Sequence, residues 1–90
     1  MKFSWDDSKN KTNLKKHGIS FETAVKVFED PNYLELYDAE HSKNEDRYWA
    51  IGYVNDILVV VFTERKDSVR IISARLATGI ERGAYYDNRI

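Results

Sequence analysis

The sequence predicts an α+β domain in which three helices pack on an antiparallel sheet. Two helix-like segments with recognisable start and stop signals precede Pro31, the only proline. After Pro31 the apolar residues follow the period of two that is typical of strands. A further helix-like segment runs from Ala77 to about Tyr86. Helices and strands that follow one another in blocks, rather than alternating, are characteristic of α+β folds.

The two N-terminal helices are predicted by their ends. Asp6 is a suitable N-cap for a helix that runs to about His17, and Gly18 suits the left-handed residue that ends it. Ser20 can cap the second helix immediately afterwards. The apolar stripe of that helix, at the spacing i, i+3, i+4, i+7, consists of Phe21, Ala24, Val25 and Phe28.

Four strands are predicted after Pro31, and a fifth if the "FSW" stretch at residues 3–5 also pairs. Residues 57–62, "ILVVVF", are continuously apolar and indicate a central strand buried on both faces. Asn55-Asp56 and Lys66-Asp67-Ser68 are turn signals on either side of it. The four strands cover residues 33–37, 47–54, 57–65 and 69–75.

Length and composition indicate one domain, residues 1–90, with a modest core. Apolar residues make up 42% of the chain, which argues against disorder. The chain lacks cysteine, and this suits a reducing cytoplasm. The apolar run at 57–62 is far shorter than the ~20 residues that span a bilayer, and the N-terminus has no secretory pattern. We therefore expect a cytoplasmic protein without a membrane partner.

The charges are unevenly distributed along the chain, although the net charge is only −1. Residues 1–20 and 65–90 together carry 11 Lys and Arg against 5 Asp and Glu, whereas residues 21–64 carry 3 against 10. If the two ends meet in space, they form a basic surface that can attract an anionic substrate. The alternative is ordinary mixed surface charge.

The sequence offers no pattern for a metal or cofactor site. His17 and His41 are 24 positions apart, and no H-x-x-x-H spacing or phosphate-binding glycine loop is present. We therefore expect neither a metal nor a cofactor.

Arginines in the C-terminal half are the candidate site. Glu64 and Arg65 end the central strand, and the following turn would hold Arg70 close to Arg65. Strand alternation places Arg75 on one face with Val69, Ile71 and Ser73. The terminal helix adds Arg82, Tyr85 and Tyr86. Such a cluster could bind a phosphate and stabilise a phosphorane, or it could form ordinary surface ion pairs of small energetic value.

His17 has two interpretations. It lies on one helix face with Lys9 and Asn13, at i, i+4 and i+8, so it could extend a polar stripe toward a substrate. It also directly precedes the helix-ending Gly18, where a cationic imidazole would complement the negative end of the helix. The residues alone leave both interpretations open.

The chain resembles the BrnT family of toxins, which form the toxin half of type II toxin–antitoxin pairs. The resemblance runs along nearly the whole sequence and rests on many short blocks in order. These blocks are "F-x-W-D", Lys9, Asn13, "KHGISFE-x-A", "DP", "HS", Glu45-x-Arg47, "AIG", "LVVVFTER", "RIISAR" and "AT-x-x-ER-x-x-Y".

The resemblance implies a fold like that of RelE-type ribonucleases and a metal-independent endoribonuclease that inhibits growth. It implies as partner an antitoxin with a ribbon-helix-helix DNA-binding domain, which neutralises the toxin in a hetero-oligomer and carries it to promoter DNA. The substrate would be RNA, cleaved by attack of its own 2′-OH on the adjacent phosphate.

The resemblance indicates the positions of the site residues, and the residue types suggest a hypothesis for their roles. Arg65 and Arg75 would stabilise the phosphorane, Glu64 or His17 would be the base, and Tyr85 would donate a proton to the leaving group. Lys9, Arg70 and Arg82 would bind the substrate.

One departure from the family pattern supports an alternative function. The terminal helix carries Gly79 and Gly83 where relatives often carry basic residues. A chain with weakened RNA binding could act as an inactive toxin homologue that serves only as an antitoxin-binding corepressor.

Overall fold

The computed structural model describes residues 1–87, so the last three residues of the predicted 1–90 domain lie outside the described residues. A 3₁₀ segment, Val25–Glu29, directly continues the second helix. The elements in chain order are β1 (Phe3–Ser4), α1 (Asp7–His17), α2 (Phe21–Ala24), β2 (Leu34–Tyr37), β3 (Tyr48–Val54), β4 (Asp56–Arg65), β5 (Ser68–Leu76) and α3 (Gly79–Asp87).

The sheet has five strands in the order β1-β5-β4-β3-β2, and it is mixed rather than antiparallel. Phe3 and Ser4 of β1 pair in parallel with Val69 and Arg70 of β5. The prediction of a purely antiparallel sheet was therefore wrong. A two-residue strand carries no periodicity that reveals its partner, and a parallel pairing across this sequence distance has no turn signal to announce it.

The predicted helix ends are present in the structure. The Asp6 side chain accepts hydrogen bonds from the backbone N–H groups of Ser8 and Lys9, and Gly18 ends α1 with a φ of 73°. Ser20 accepts from the N–H of Thr23 at the start of α2. The second helix is shorter than expected, because only Phe21–Ala24 is α-helical.

β4 is the central strand, as predicted, and each face of the sheet has its own apolar cluster. On the helix face, α2 and the 3₁₀ segment cover residues that include Leu58, Val60 and Phe62. A side chain at Gly52 on this face would meet Val27, because a Cβ there would lie 2.8 Å from its Cγ1. The opposite face is covered by α3, where Tyr85 packs with Ile51, Ile57, Val59 and Ala77.

A β-bulge in β5 changes which side chains share a face. Val61 pairs with Ser73, but the next residue of β4, Phe62, pairs with Ile71, so Ile72 is an extra residue. The predicted common face of Val69, Ile71, Ser73 and Arg75 was therefore wrong. A bulge reverses the alternation of side chains beyond it, and no local sequence signal marked its position.

Candidate functional site

The bulge places three arginines on one face of the sheet, which we call the arginine face. Residues paired across antiparallel strands point to the same side. Arg65 pairs with Ser68, Thr63 with Arg70, and Val59 with Arg75, so all three arginines project from the face that carries Val59. Arg65 and Arg70 are diagonal neighbours, about 7–8 Å apart at Cα. Arg75 lies roughly 15 Å farther along β5.

The arginine face is only partly covered. Tyr85 of α3 packs over Val59 and the residues nearest the β3–β4 hairpin. Farther along, Val61, Arg70 and Ser73 remain half-buried. The loop 38–47 borders this open region, because the Thr63 hydroxyl donates to the carbonyl oxygen of Asp46. The open region is thus a shallow surface between α3 and a loop.

Arg75 is held by the start of α3. Its Nη1 and Nη2 donate to the two carboxylate oxygens of Glu81 at 2.7 and 2.8 Å. Glu81 also accepts from the Thr78 N–H and donates its own N–H to the Thr78 hydroxyl, which is a capping box. The Arg75 hydrogen bonds are the main reason that the pKa of Glu81 falls from 4.5 to about 2. The Arg75 guanidinium also lies over the Trp49 ring, 5.7 Å from its centroid.

Arg70 and Arg65 are much less restrained. Within residues 1–87, the half-buried Arg70 makes no ion pair or side-chain hydrogen bond. Arg65 lies 3.3 Å from Glu45, but both side chains are largely exposed, so this pair is weak. Both guanidinium groups can therefore turn toward an anion at small cost.

Glu64 lies on the helix face, opposite Arg65. It pairs with the buried Val69. Burial, followed by the charge of Glu35, raises the pKa of Tyr33, and Glu64 contributes to the same shift. The structure therefore separates the predicted Glu64 carboxylate from the arginines by the thickness of the sheet.

Tyr85 attaches α3 to Asp30, which follows the 3₁₀ segment, and Arg82 attaches it to Asp56 at the start of β4. The Tyr85 side chain is 5% exposed, and its hydroxyl donates to Asp30 at 2.5 Å. Arg82 forms an ion pair with Asp56 at 2.7 Å. Burial raises the pKa of Asp30, but hydrogen bonds from Tyr85 and two backbone N–H groups outweigh it and lower the pKa. The structure does not bring either predicted residue beside Arg65 and Arg70.

Lys9 and His17 line a groove between α1 and β5. Its cavity of about 260 Å³ also includes Ile72 and Ser73, so it opens at the bulge, beside the arginine face. Asn13, expected on the same polar stripe, is instead 6% exposed. Its amide donates to the Ala74 carbonyl and accepts from the Ala74 N–H, at 2.8 and 3.1 Å. It therefore replaces a neighbouring strand at the edge of β5.

The loop 38–47 contains a histidine that the sequence analysis did not assign. His41 Nδ1 lies 2.9 Å from Asp38 Oδ2, and Trp49 Nε1 donates to the same oxygen at 3.2 Å. Burial raises the pKa of Asp38, but the His41 and Trp49 hydrogen bonds outweigh it and lower the pKa. Two signals in the sequence could have identified it: the family block "HS", and the "DAEHS" spacing, which puts a carboxylate three residues before an imidazole in a loop.

Two further findings concern residues 1–87 alone. No three His, Asp or Glu side chains there form a group that could hold a metal ion. No helix in this part of the chain is long and apolar enough to cross a membrane.

A small α+β domain with a row of arginines on a partly open sheet face is a class of protein suited to binding a polyanion. Comparison with known proteins then gives the family. Residues 5–81 match the model of the ribonuclease toxin BrnT of type II toxin–antitoxin systems, and the chain belongs to this family.

A solved structure supports the same conclusion. The chain is similar to the Brucella abortus ribonuclease toxin BrnT, whose crystal structure was determined at 1.1 Å resolution. The two chains are 29% identical and superpose with a TM-score of 0.69, over 87% of this chain and 97% of the other. Comparison with curated protein sequences gave no match.

Proposed function

We propose that this chain is a growth-inhibiting toxin that cleaves RNA without a metal ion, and that Arg70 and Arg65 bind the phosphate at the cleavage site. The observation that supports this most directly is the half-buried Arg70, which has no ion-pair partner within residues 1–87. Arg65 is its diagonal neighbour on the same face. Two adjacent guanidinium groups form a donor set that suits a phosphate, and later a phosphorane.

The RNA strand would continue from the arginine face into the groove beside α1. Ser73 lies on both surfaces, since it lines the groove and pairs with Val61 on the arginine face. Lys9 and His17 then contact the neighbouring phosphate or ribose. This path joins the basic N-terminal segment, residues 1–20, to the arginines of β5.

Arg75 would act differently from the other two arginines. Both terminal nitrogens of its guanidinium group donate to Glu81. Phosphate binding at the same N–H groups would therefore require breaking a charge-assisted pair. Arg75 instead holds Trp49 and the start of α3 in position. Arg82 and Tyr85, bound to Asp56 and Asp30, position the same helix.

The proposed reaction is an internal transesterification. The RNA 2′-oxygen loses its proton to a base and attacks the adjacent phosphorus, while the bond from phosphorus to the 5′-oxygen breaks. The products are a 2′,3′-cyclic phosphate and a 5′-hydroxyl, which takes its proton from water. Arg65 and Arg70 stabilise the charge that accumulates on the phosphorane oxygens.

The proposed partner is an antitoxin with a ribbon-helix-helix domain. It would cover the arginine face and so exclude RNA. The resulting hetero-oligomer would bind promoter DNA through the antitoxin alone. Likeness to RelE-type ribonucleases remains a prediction of the family resemblance.

The experiment measures cleavage of free RNA and affinity for it in EDTA, and cleavage on translating ribosomes in the Mg²⁺ that ribosomes require. Arg70→Ala should lower the cleavage rate at least 100-fold, because it removes a donor to the developing charge. Arg70→Lys, which retains the charge and loses the fork, should recover only part of the rate. Lys11→Ala removes one positive charge from α1 and should behave like the unmodified chain.

The same experiment separates the toxin from the corepressor alternative. A chain that cleaves no RNA under either condition, yet binds its antitoxin, would be a corepressor and not an enzyme. Cleavage of free RNA that requires added Mg²⁺ would contradict the metal-independent mechanism.

A further inference from the structure

We infer that His41 is the general base of the proposed ribonuclease reaction and that Asp38 fixes its orientation and tautomer. This inference rests on the proposed function and deepens it. Neither residue was part of the predicted site. Of the predicted bases, Glu64 lies on the opposite face of the sheet, and His17 lies at the groove beside α1.

The first step concerns the proton on the imidazole. Asp38 has a lowered pKa, so its carboxylate is ionised near neutral pH and can only accept hydrogen bonds. His41 Nδ1, 2.9 Å away, must therefore carry the proton and donate it. In the neutral imidazole the lone pair then lies on Nε2, which can accept a proton from a substrate.

The second step concerns rigidity. Asp38 is itself held, because its Oδ2 accepts from Trp49 Nε1 and its Oδ1 from the His41 N–H. The Ser42 hydroxyl further closes the loop by donating to the Asp38 carbonyl at 2.6 Å. The carboxylate side chain is 9% exposed, whereas the imidazole is 58% exposed. The carboxylate is therefore fixed, and the base is accessible.

The third step concerns location. Trp49 pairs with Val61, which pairs with Ser73, so the residue that holds Asp38 lies on the arginine face. Arg75 lies over the same Trp49 ring. Glu45, four residues after His41, contacts Arg65. The loop therefore places His41 at the border of the surface that carries Arg65 and Arg70.

The cavity beside His41 carries charges of both signs. It has a volume of about 580 Å³ and is lined by Lys43 and Arg47 as well as by Glu40 and Glu45. Glu45 contacts Arg65, so Lys43 and Arg47 are the cations of this cavity that could meet a phosphodiester beside His41. In the reaction, Nε2 takes the 2′-OH proton as the oxygen–phosphorus bond forms, and the 5′-oxygen leaves with a proton from water.

The test measures single-turnover cleavage at a site that the unmodified chain cuts, with free RNA and with translating ribosomes. His41→Ala should lower the rate constant about 100-fold or more, the usual contribution of a general base, with RNA affinity changed by less than threefold. Added imidazole should restore at least tenfold of the lost rate. His41→Gln keeps a hydrogen-bond donor for Asp38 but has no basic nitrogen. It should lower the rate constant as much as His41→Ala does, and added imidazole should not restore it.

Two controls separate a base from a structural residue. Ala39→Ser, at an exposed position of the same loop that does not line the His41 cavity, should cleave like the unmodified chain. Asp38→Asn should slow cleavage at least tenfold, because the amide can stabilise the other tautomer. In the double variant, Asp38→Asn should not lower the cleavage rate below that of His41→Ala alone. If the two losses of rate multiply, Asp38 does not act through His41, and its positioning role is overturned.

A sulfur substrate separates a base from an acid. An RNA with sulfur in place of the 5′-oxygen has a leaving group that needs no proton. If His41 is the base, His41→Ala should slow cleavage of the sulfur substrate by the same factor, relative to the unmodified chain, as it slows cleavage of ordinary RNA. If His41→Ala instead cleaves the sulfur substrate as fast as the unmodified chain does, His41 is the acid, and the assignment is overturned.

Failure of this inference differs from failure of the proposed function. If the unmodified chain cleaves RNA and either folded His41 variant does so within threefold, only the assignment of His41 fails. If the unmodified chain cleaves no RNA under either condition, the ribonuclease function fails, and the assignment with it.

Discussion

Single side chains decide which arginines are available. Arg65, Arg70 and Arg75 share a face, but Glu81 occupies the fork of Arg75, and Arg70 has no acidic partner within residues 1–87. The sequence predicted a phosphorane-stabilising role for Arg65 and Arg75 and a substrate-binding role for Arg70, because residue type gives the charge but not the partner of each side chain. The difference arises from contacts between residues on separate elements.

The Glu81–Arg75 pair should make stability depend on pH in acid. Glu81 has its pKa lowered to about 2 in the folded chain, so its contribution is complete above about pH 4.5 and is lost as the pH falls toward 2. Glu81→Gln retains an acceptor for the Thr78 N–H and loses the charge. We expect it to lower the free energy of unfolding at pH 7 by about 1–2 kcal/mol, after allowing for solvent at the pair.

Denaturant unfolding of both proteins between pH 2 and pH 7 measures this difference. The two curves should converge as the pH approaches 2. A gap that stays constant over the whole range would show that the carboxylate charge is not responsible.

Asn13 should be the most sensitive polar residue for stability. Its buried amide satisfies the N–H and C=O of Ala74, so Asn13→Ala leaves both without a partner. We expect a loss of about 2–4 kcal/mol in the free energy of unfolding. Thr12→Ala, the exposed neighbour on α1, should change it by less than about 0.5 kcal/mol. Equal effects of the two substitutions would contradict the strand-edge role of Asn13.

At the scale of elements, caps and turns were predictable and sheet irregularities were not. The caps at Asp6, Gly18 and Ser20 follow from residue preferences that act within one turn of chain, and all three are present. The bulge at Ile72 depends on how β5 meets β4 and leaves no local signal. This bulge brings Arg75 onto the face of Arg65 and Arg70, so the candidate site could be predicted in composition but not in arrangement.

Two glycines should respond to alanine in opposite directions. Gly18 has a φ of 73°, which alanine adopts only with strain, so Gly18→Ala should destabilise the protein by about 1 kcal/mol. Gly83 lies inside α3 with open space where a Cβ would be, so Gly83→Ala should stabilise it by about 0.5–1 kcal/mol. Thermal unfolding of both variants tests this, and a shift of the same sign for both would refute the conformational explanation.

At the scale of the whole molecule, the sheet order explains the charge pattern. β1 lies beside β5, and α1 packs against β5, so the basic segments at the two ends of the chain are neighbours. β2 and β3, which come from the acidic middle of the sequence, lie at the opposite edge of the sheet from β1. The sequence showed the segregation of charge, and the parallel pairing that brings the ends together required the structure.

RNA affinity should therefore fall as the salt concentration rises, with a slope set by the small number of phosphate contacts on this surface. The slope of log affinity against log salt is about −0.7 for each phosphate contact on a single strand. Arg70→Ala should remove about one phosphate contact and so make the slope shallower by about 0.7. Lys11→Ala should leave the slope unchanged. Binding measured from 50 to 300 mM salt tests this, and a flat affinity for the unmodified chain would argue against an RNA surface on this face.

The pairing of β1 with β5 also has a consequence for biosynthesis. Phe3 and Ser4 cannot pair until Val69 and Arg70 have been made, and Asn13 cannot bind Ala74 before then. A chain still being translated thus lacks its completed sheet edge until β5 has been made, and the arginine face cannot assemble before then. Limited proteolysis of ribosome-bound chains of increasing length should show protection of α1 only after β5 has emerged. The surface that we propose for RNA therefore forms only after β5 has been synthesised.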